Sequence, residues 1–544
     1  MSTRAGRAAR IQTIERERFD LIVIGAGING VGIARDGATR GLRVLLLDSQ
    51  DIASGTTAFS TRLIHGGLRY LEYGEVGLVR ESLREREQLL RIAPHLVTPI
   101  PFLVPLYAGA RRGPGLIRLG MLAYDLLSFD KSLPRHRMLS AAETLAREPG
   151  LNVAGLRGAA LYCDGQVTFP ERLTLENALA AQQHGATLLT YARVDGLIRS
   201  CNRVSGVRFH DRLGGGSSAA HGALVINVAG PWVDRLLESL GEPPLIGGTK
   251  GSHIVVGHFR GAPSSAFYVE AARDRRPYFI VPWNGQYLIG TTDIPYNGDP
   301  GQVVPDEAEI RYLLDETNRV IPSARLTRPD VHYAYAGVRP LPRVDTTDAA
   351  GITRRHIVYD HAPGIDGLVS IVGGKLTTYR SLAEEVIDLS FRKLNRIAPR
   401  CTTGAVPLPG ANGVAWSAFA ATFRRACGLE AAPAERLLHI YGVTAWEIVR
   451  LARAKPELMR SFDPESGALG AEIVHAVRYE EAETLSDILL RRTMVGLWPN
   501  SGLSALEGAA QVAVQHLGWD DARVRRDVET YCALKDRHAR AGRV

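Results

Sequence analysis

The sequence predicts an α/β fold with a βαβ unit at the front of the chain and an all-helical domain at its end. Three observations predict it. Residues 19–48 read as a strand, a glycine-rich turn, a helix and a second strand ending in an acid. Short apolar runs of strand character recur between residues 186 and 372. After about residue 400 the apolar positions fall into helical spacing instead.

The front unit is the most informative segment. Residues 19–24 (FDLIVI) form the short apolar run of a strand buried on both faces. The turn Gly25-Ala26-Gly27-Ile28-Asn29-Gly30 is a complete GxGxxG. In such a turn the first glycine permits the tight bend, the second lets backbone approach a pyrophosphate, and the third lets helix pack on strand. A small-residue helix follows to about residue 39, and Gly41 ends it. Residues 43–47 (RVLLL) are the next strand, with Asp48 at its tip, 18 residues beyond Gly30. A carboxylate there accepts hydrogen bonds from ribose hydroxyls. The context of strand, helix and acid separates this turn from a structural glycine turn in some other α/β sheet. Spacing alone does not choose FAD over NAD.

Further along, residues 75–93 have helical periodicity and stop at Pro94. Residues 96–110 contain Pro99, Pro101 and Pro105 and so cannot form a regular helix. Strands are predicted at 186–189, 204–209, 223–228, 253–256, 278–281, 287–290 and 368–372, with a hairpin loop at 214–218. Trp416, Phe419 and Phe423 keep helical spacing up to Gly428, as do Leu485, Ile488 and Leu489 later, so 405–544 reads as a separate helical domain.

Composition narrows the function. A chain of 544 residues implies two or three packed domains. The net charge of +8 suits an anionic surface or a phosphorylated ligand, but no run of five Lys/Arg occurs, so nucleic acid is not an expected partner. The five cysteines are dispersed without a CxxC pair, which argues against a metal site and for a reducing compartment. Residues 1–18 carry Arg4, Arg7, Arg10, Arg16 and Arg18 without the apolar core of a secretory signal, and read as a frayed basic tail. Residues 111–127 combine Arg111, Arg112 and Arg118 with six leucines and isoleucines, a pattern that lies on an anionic bilayer or packs on its own protein.

Other motifs are more specific: Ile64-His65-Gly66-Gly67-Leu68-Arg69-Tyr70-Leu71-Glu72, Lys250-Gly251-Ser252-His253, Gly290-Thr291-Thr292-Asp293, Gly337-Val338-Arg339-Pro340-Leu341 and Gly373-Gly374-Lys375-Leu376-Thr377-Thr378-Tyr379-Arg380. In order and wording the chain resembles the FAD-dependent, aerobic glycerol-3-phosphate dehydrogenases from about residue 19 to 395, and more faintly at Arg491-Arg492-Thr493. Ala26 and Asp48 depart from the commoner glycine and glutamate of that pattern while keeping its chemistry. The resemblance implies a D-amino-acid-oxidase-like FAD domain of the Rossmann kind assembled from 19–95, 150–242 and 355–400. It further implies a mixed-sheet substrate domain from 96–149 and 243–354, and the helical domain behind both. It implies FAD as cofactor, oxidation of glycerol 3-phosphate to dihydroxyacetone phosphate, and a membrane quinone as acceptor. The protein would then sit peripherally on the inner face of the cell membrane; a homodimer is left open. A glycerol-3-phosphate oxidase using oxygen, an amine or amino-acid oxidase of the same fold, and a flavoprotein without turnover are the alternatives.

The resemblance also distributes roles. Arg339, Arg354 and Lys375 are candidates for the substrate phosphate, which needs forked guanidinium donors. Arg339 and Lys375 are expected in glycine-flanked turns, and Arg354 reads equally well as a surface arginine. His253 is the candidate base, on the ground that an ordinary imidazole titrates near neutrality. Arg69 is expected to stabilise an alkoxide and Tyr70 to position substrate, while His65 reads as structural or cofactor-adjacent. Cofactor contacts are expected from Gly25, Gly27, Ile28, Asn29, Gly30, Asp48, Ser60, Thr61, Gly230, Gly374, Lys375, Leu376 and Thr377.

Overall fold

The structure, a computed structural model, describes residues 4–110, 112–344 and 354–539. Two sheets organise it. The first has five parallel strands at its centre, in the order Leu368–Val372, Ser217–Asn227, Arg18–Ile24, Val44–Leu47 and Thr187–Leu189. Ile357–Asp360 closes one edge antiparallel, and Ala192–Ser200 and Arg203–Asp211 extend the sheet as antiparallel hairpins on Ser217–Asn227. Val44–Leu47 is buried throughout, and so is Arg18–Ile24 after its first residue, which is why both read as continuous apolar runs. The helix Ile28–Thr39 packs between Pro170–Gln183 and Tyr379–Lys393. The carboxyl ends of the central strands align: Ile24 lies opposite Leu47 and Asn227, and Asn227 opposite Ser370. Ligands in open parallel sheets bind beyond such an edge.

The second sheet is mixed. Thr249–Val256 lies between Gln286–Gly290 and Val331–Arg339, which sets His253 opposite both Gly290 and Tyr335. The proline-rich segment forms the strand Val97–Tyr107, paired along its length with Leu156–Val167. That pairing corrects the expected partition: residues 156–167 belong to this sheet rather than to the FAD-domain segment 150–242. Residues 345–353, part of the expected substrate segment, lie outside the described residues, as does Arg111.

The basic front is not a frayed tail. Arg4–Arg16 is a helix whose Arg7 is buried, with Nε donating to Asp211 Oδ1 at 2.9 Å and Nη2 to the Thr190 carbonyl at 2.7 Å. A buried guanidinium persists only when paired in this way, and its partner lies 204 residues away, beyond local pattern reading.

The C-terminal region is helical, with seven α-helices among the described residues from Trp416–Ala426 to Asp521–Ala539 and one small hairpin, Ser461–Asp463 with Ala468–Leu469. It is not insulated from the rest of the chain. Phe423, Tyr441 and Leu489 share one hydrophobic core with Phe102, Tyr333 and Tyr335 of the second sheet. Gln286 Nε2 and Tyr333 Oη both donate to the Leu497 carbonyl at 3.0 Å. No described helix is long and apolar enough to cross a membrane.

Candidate active site

A cavity of about 810 Å³ lies between the carboxyl edge of the first sheet and the face of the second. Its size is that of a cofactor-plus-substrate site, ~300–1,000 Å³. Every candidate catalytic, phosphate and cofactor residue named above lines it except Gly30.

The glycine turn is shaped by the protein at two positions and left open at a third. Gly25 has φ +113°, and a Cβ there would lie 2.7 Å from the Val228 carbonyl oxygen; at Gly30 it would lie 1.8 Å from that of Gly25. At Gly27 a Cβ would meet only the Thr57 hydroxyl, at 3.4 Å. The space over Gly27 is therefore the cavity itself, as a bound pyrophosphate requires. Gly27 also caps the helix Ile28–Thr39 without any side-chain cap, so the helix N-terminus is at the cavity; Ile28 N–H donates to Thr57 Oγ1 at 3.1 Å. Asn29 reaches across to the Gly373 carbonyl at 3.3 Å, and its Oδ1 is buried with no hydrogen-bond partner. Gly374, beside it, has φ +96°.

Asp48 accepts from Ala26 N–H at 2.6 Å and from Gln50 N–H at 2.8 Å. Each oxygen keeps a lone pair for a ribose hydroxyl. Burial, with the nearby charge of Asp51, pushes this carboxyl up to about 6 against those two bonds. Ser60 and Thr61 follow on the same wall. The Ser60 carbonyl accepts from Tyr335 Oη at 3.0 Å, and Thr61 Oγ1 meets His253 Nε2 at 2.9 Å. Gly230, at φ +58°, opens the turn Gly230–Trp232. Thr377 Oγ1 accepts from His65 N–H at 3.2 Å, and Leu376 lies beside it in the lining.

The opposite wall is cationic. Arg339 and Arg354 converge on one carboxylate, Asp293, at 3.0 and 2.9 Å, and Arg339 also donates to Thr291 Oγ1 at 2.9 Å. Arg276 donates to the Asp293 carbonyl. Burial would raise the Asp293 carboxyl, yet Arg339 and Arg354 hold it below the ordinary range. Three guanidiniums gather around Asp293, two of them on its carboxylate and one on its carbonyl, and leave a positive excess that a dianion would complement. Arg339 is not in a turn as expected; it ends the strand Val331–Arg339, opposite Thr249. Arg354 is a cavity residue and not a surface arginine.

Lys375 follows the Gly373-Gly374 turn, donates to Ser82 Oγ at 2.8 Å and lies 4.4 Å from the centre of the Tyr70 ring. Burial lowers its ammonium to about 7. Arg69 stacks its guanidinium over Tyr73 at 5.6 Å and donates to the Tyr73 hydroxyl at 3.2 Å.

His253 departs from the sequence expectation. Its ring is 2% exposed, stacks on Tyr335 with centroids 5.0 Å apart, and has no partner at Nδ1. Burial first, then Arg339 and Arg62, pull its pKa well below the usual histidine value. The imidazole is thus neutral across the physiological range instead of titrating within it. His65, lowered to about 4 by burial and by Lys375, lines the same cavity edge-on to Phe279. Sequence reasoning quoted Asp293 within its motif without giving it a role, and missed Arg276, which no motif marks.

A Rossmann-type turn, an acid at the next strand tip and a mixed sheet closing over the strand ends define a dinucleotide-binding protein, and comparison places it among the FAD-dependent oxidoreductases. The FAD-dependent oxidoreductase family signature matches residues 20–380, and that of the C-terminal domain of alpha-glycerophosphate oxidase matches 401–524. The chain is 49% identical to a glycerol-3-phosphate dehydrogenase of Synechocystis over 95% of this chain and 96% of that one. It is 37% identical to one of Mycobacterium leprae, over 97% and 90%. A crystal structure of the Bacillus halodurans glycerol-3-phosphate dehydrogenase complexed with FAD superposes with a TM-score of 0.82 at 29% identity, covering 99% of both chains. The chain belongs to the FAD-dependent glycerol-3-phosphate dehydrogenase family, and FAD is its cofactor.

Proposed function

We propose that the protein oxidises sn-glycerol 3-phosphate to dihydroxyacetone phosphate and that the electrons pass to a membrane quinone. The observation that carries the substrate is the convergence of Arg339, Arg354 and Arg276 on Asp293, with Lys375 in the same cavity as the dinucleotide turn. A phosphate dianion complements that excess, and Arg forks suit its geometry. An amino-acid carboxylate needs only one such group, which disfavours an amino-acid oxidase.

Bound FAD supplies a two-electron acceptor. Gly25, Gly27, Ile28 and Asn29, with Gly30 packed behind them, would hold its pyrophosphate, and Asp48 its ribose. Ser60, Thr61, Gly230, Gly374, Lys375, Leu376 and Thr377 line the remainder. Arg339, Arg354 and Lys375 hold the phosphate, and Tyr70 positions the carbon chain. With FAD bound to take the hydride of carbon 2, the hydroxyl proton would go to a base and Arg69 would stabilise the developing oxyanion. His253 is that base: burial keeps it in the neutral form that accepts a proton, and Thr61 fixes its ring. His65, which lines the same cavity, is the second reading, although burial and Lys375 lower it to about 4.

The exposed face of the helix Pro114–Leu127 supports a peripheral membrane position at the inner face of the cell membrane. Ile117, Met121 and Tyr124 are buried, whereas Leu119 is 65% and Leu126 74% exposed, and Phe129 just beyond is 76% exposed. A contiguous apolar patch of this kind is an interaction surface. Of its arginines, Arg112 is paired with Glu72 and Glu270.

Anaerobic addition of sn-glycerol 3-phosphate should bleach the visible flavin absorbance, and a flavin that stays oxidised overturns the proposal. With a quinone analogue, turnover should resume without oxygen. Stoichiometric hydrogen peroxide in the absence of quinone would instead assign an oxidase.

A further inference from the structure

The wall that carries Asp48 is held from behind by the helical domain. Three residues past Asp48, Asp51 is fully buried in an irregular loop. Arg492 clasps its carboxylate with two bonds, Nη2 to Oδ1 at 2.7 Å and Nη1 to Oδ2 at 2.9 Å. Arg491 Nε adds a third, to Oδ2 at 2.5 Å, while its Nη2 donates to Asp487 Oδ1 at 2.6 Å. Arg492 Nε is anchored to the Glu480 carbonyl at 2.8 Å. Tyr191 bridges the two parts: its hydroxyl donates to Asp487 Oδ1 at 2.7 Å and its N–H to the Gln50 carbonyl at 3.1 Å. Two carboxylates and two guanidiniums therefore balance in the interior, joining residues 440 apart in sequence.

The loop so anchored is the cavity wall itself. Asp48, Gln50, Thr56 and Thr57 line the cavity. On its inner side the loop returns to the glycine turn, where Ala53 N–H donates to the Ala26 carbonyl at 3.0 Å and Thr57 Oγ1 accepts from Ile28 N–H. A loop of this length without regular structure has few ways to keep one shape unless tied to something rigid. Here the tie is a fully buried bidentate pair, the arrangement that gives geometric specificity.

We infer that the helical C-terminal domain is a working part of the cofactor site: Arg491 and Arg492, through Asp51, hold loop 48–57 in the shape that takes the ADP half of FAD. They are positioning residues and touch no ligand. The inference rests on the reading that Asp48 faces the ribose.

The test starts from full-length holoenzyme of the double variant Asp51→Asn/Arg491→Gln, which removes one buried charge of each sign. FAD release on dilution, followed by the rise in flavin fluorescence, should be about tenfold faster than in wild type. Hydrogen exchange should rise in 48–57 and stay unchanged in 373–377, a contrast that general destabilisation would not produce. Release within twofold of wild type, or equal loosening of both segments, overturns the inference. Wild-type protein gives an independent reading should the variant not fold. By reciprocity, FAD release should deprotect 48–57 and 484–493 together. Deprotection of 48–57 alone overturns the clamp. No change at 48–57 overturns the placement of the ADP half itself.

Discussion

The Nε2 of His253 lies 2.9 Å from the hydroxyl of Thr61, and this contact ties the strand Thr249–Val256 to the loop that descends from the cofactor turn. It fixes the ring at the boundary between cofactor wall and substrate wall. His253→Ala should slow anaerobic flavin reduction by about 10²–10³, the range for a lost general base, with substrate affinity changed only a few-fold. Thr61→Val should cost less, about tenfold. Because burial keeps the ring neutral, neither rate should show a His253 ionisation between about pH 6 and 8. A variant whose loss lies wholly in KM would remove His253 from the proton transfer and favour His65.

Arg339→Ala should show the complementary pattern. The guanidinium is one of two that share Asp293, so its removal takes a charge-assisted bond, worth about 1.5–3 kcal/mol, from the phosphate. KM for glycerol 3-phosphate should rise about 10- to 100-fold with a smaller effect on the reduction rate at saturation. Asp293→Asn should also raise KM, although Asp293 itself repels the phosphate, because Arg339 and Arg354 lose their shared anchor. Stopped-flow reduction across substrate concentrations separates the two parameters, and an Arg339→Ala defect confined to the rate would reverse the assignments.

What could be read in advance followed from how local each determinant is. The glycine turn, its strands and Asp48 are encoded within thirty residues of one another, so periodicity and spacing carried them. Arg339 was legible as a residue type in a motif, but its position at a strand end depends on pairing with Thr249 from another segment. The neutrality of His253 was not legible, because desolvation is a property of the packed interior and not of the neighbouring sequence. Arg7 shows the same limit in a segment that composition alone makes look like solvated tail, as does Arg276, which becomes a cavity residue only when the strands assemble.

Lys375 gives the pH dependence of substrate capture. Burial sets its ammonium near 7, so the free enzyme loses this charge as pH rises through that value. The substrate phosphate gains its second charge with a pKa of about 6, so capture is best between about 6 and 7 and declines above. kcat/KM should fall by up to about tenfold per pH unit on the alkaline side. Lys375→Arg keeps its charge at every accessible pH and should abolish that limb even if it lowers the plateau. Persistence of the same limb in the arginine variant would assign it to another group.

Asp48 gives an acid limb of a different kind. Its carboxyl is pushed up to about 6, chiefly by burial, from an ordinary value of 3.8. Only the ionised form offers every lone pair to the ribose, so FAD affinity should weaken as pH falls through about 6. The sign for folding is opposite. A group whose folded pKa is raised contributes stability that is fully present below its unfolded value and lost as pH rises through the folded one. Protonating Asp48 therefore loosens the cofactor while favouring the fold, and at mildly acidic pH flavin should be released before the chain unfolds. Flavin fluorescence and far-UV circular dichroism recorded together between pH 8 and 4.5 should show two separated transitions. In Asp48→Asn, FAD should bind more weakly at pH 8 and its release should lose the step near 6. Coincident transitions in the wild-type protein would show that acid acts on the fold and not on this carboxylate.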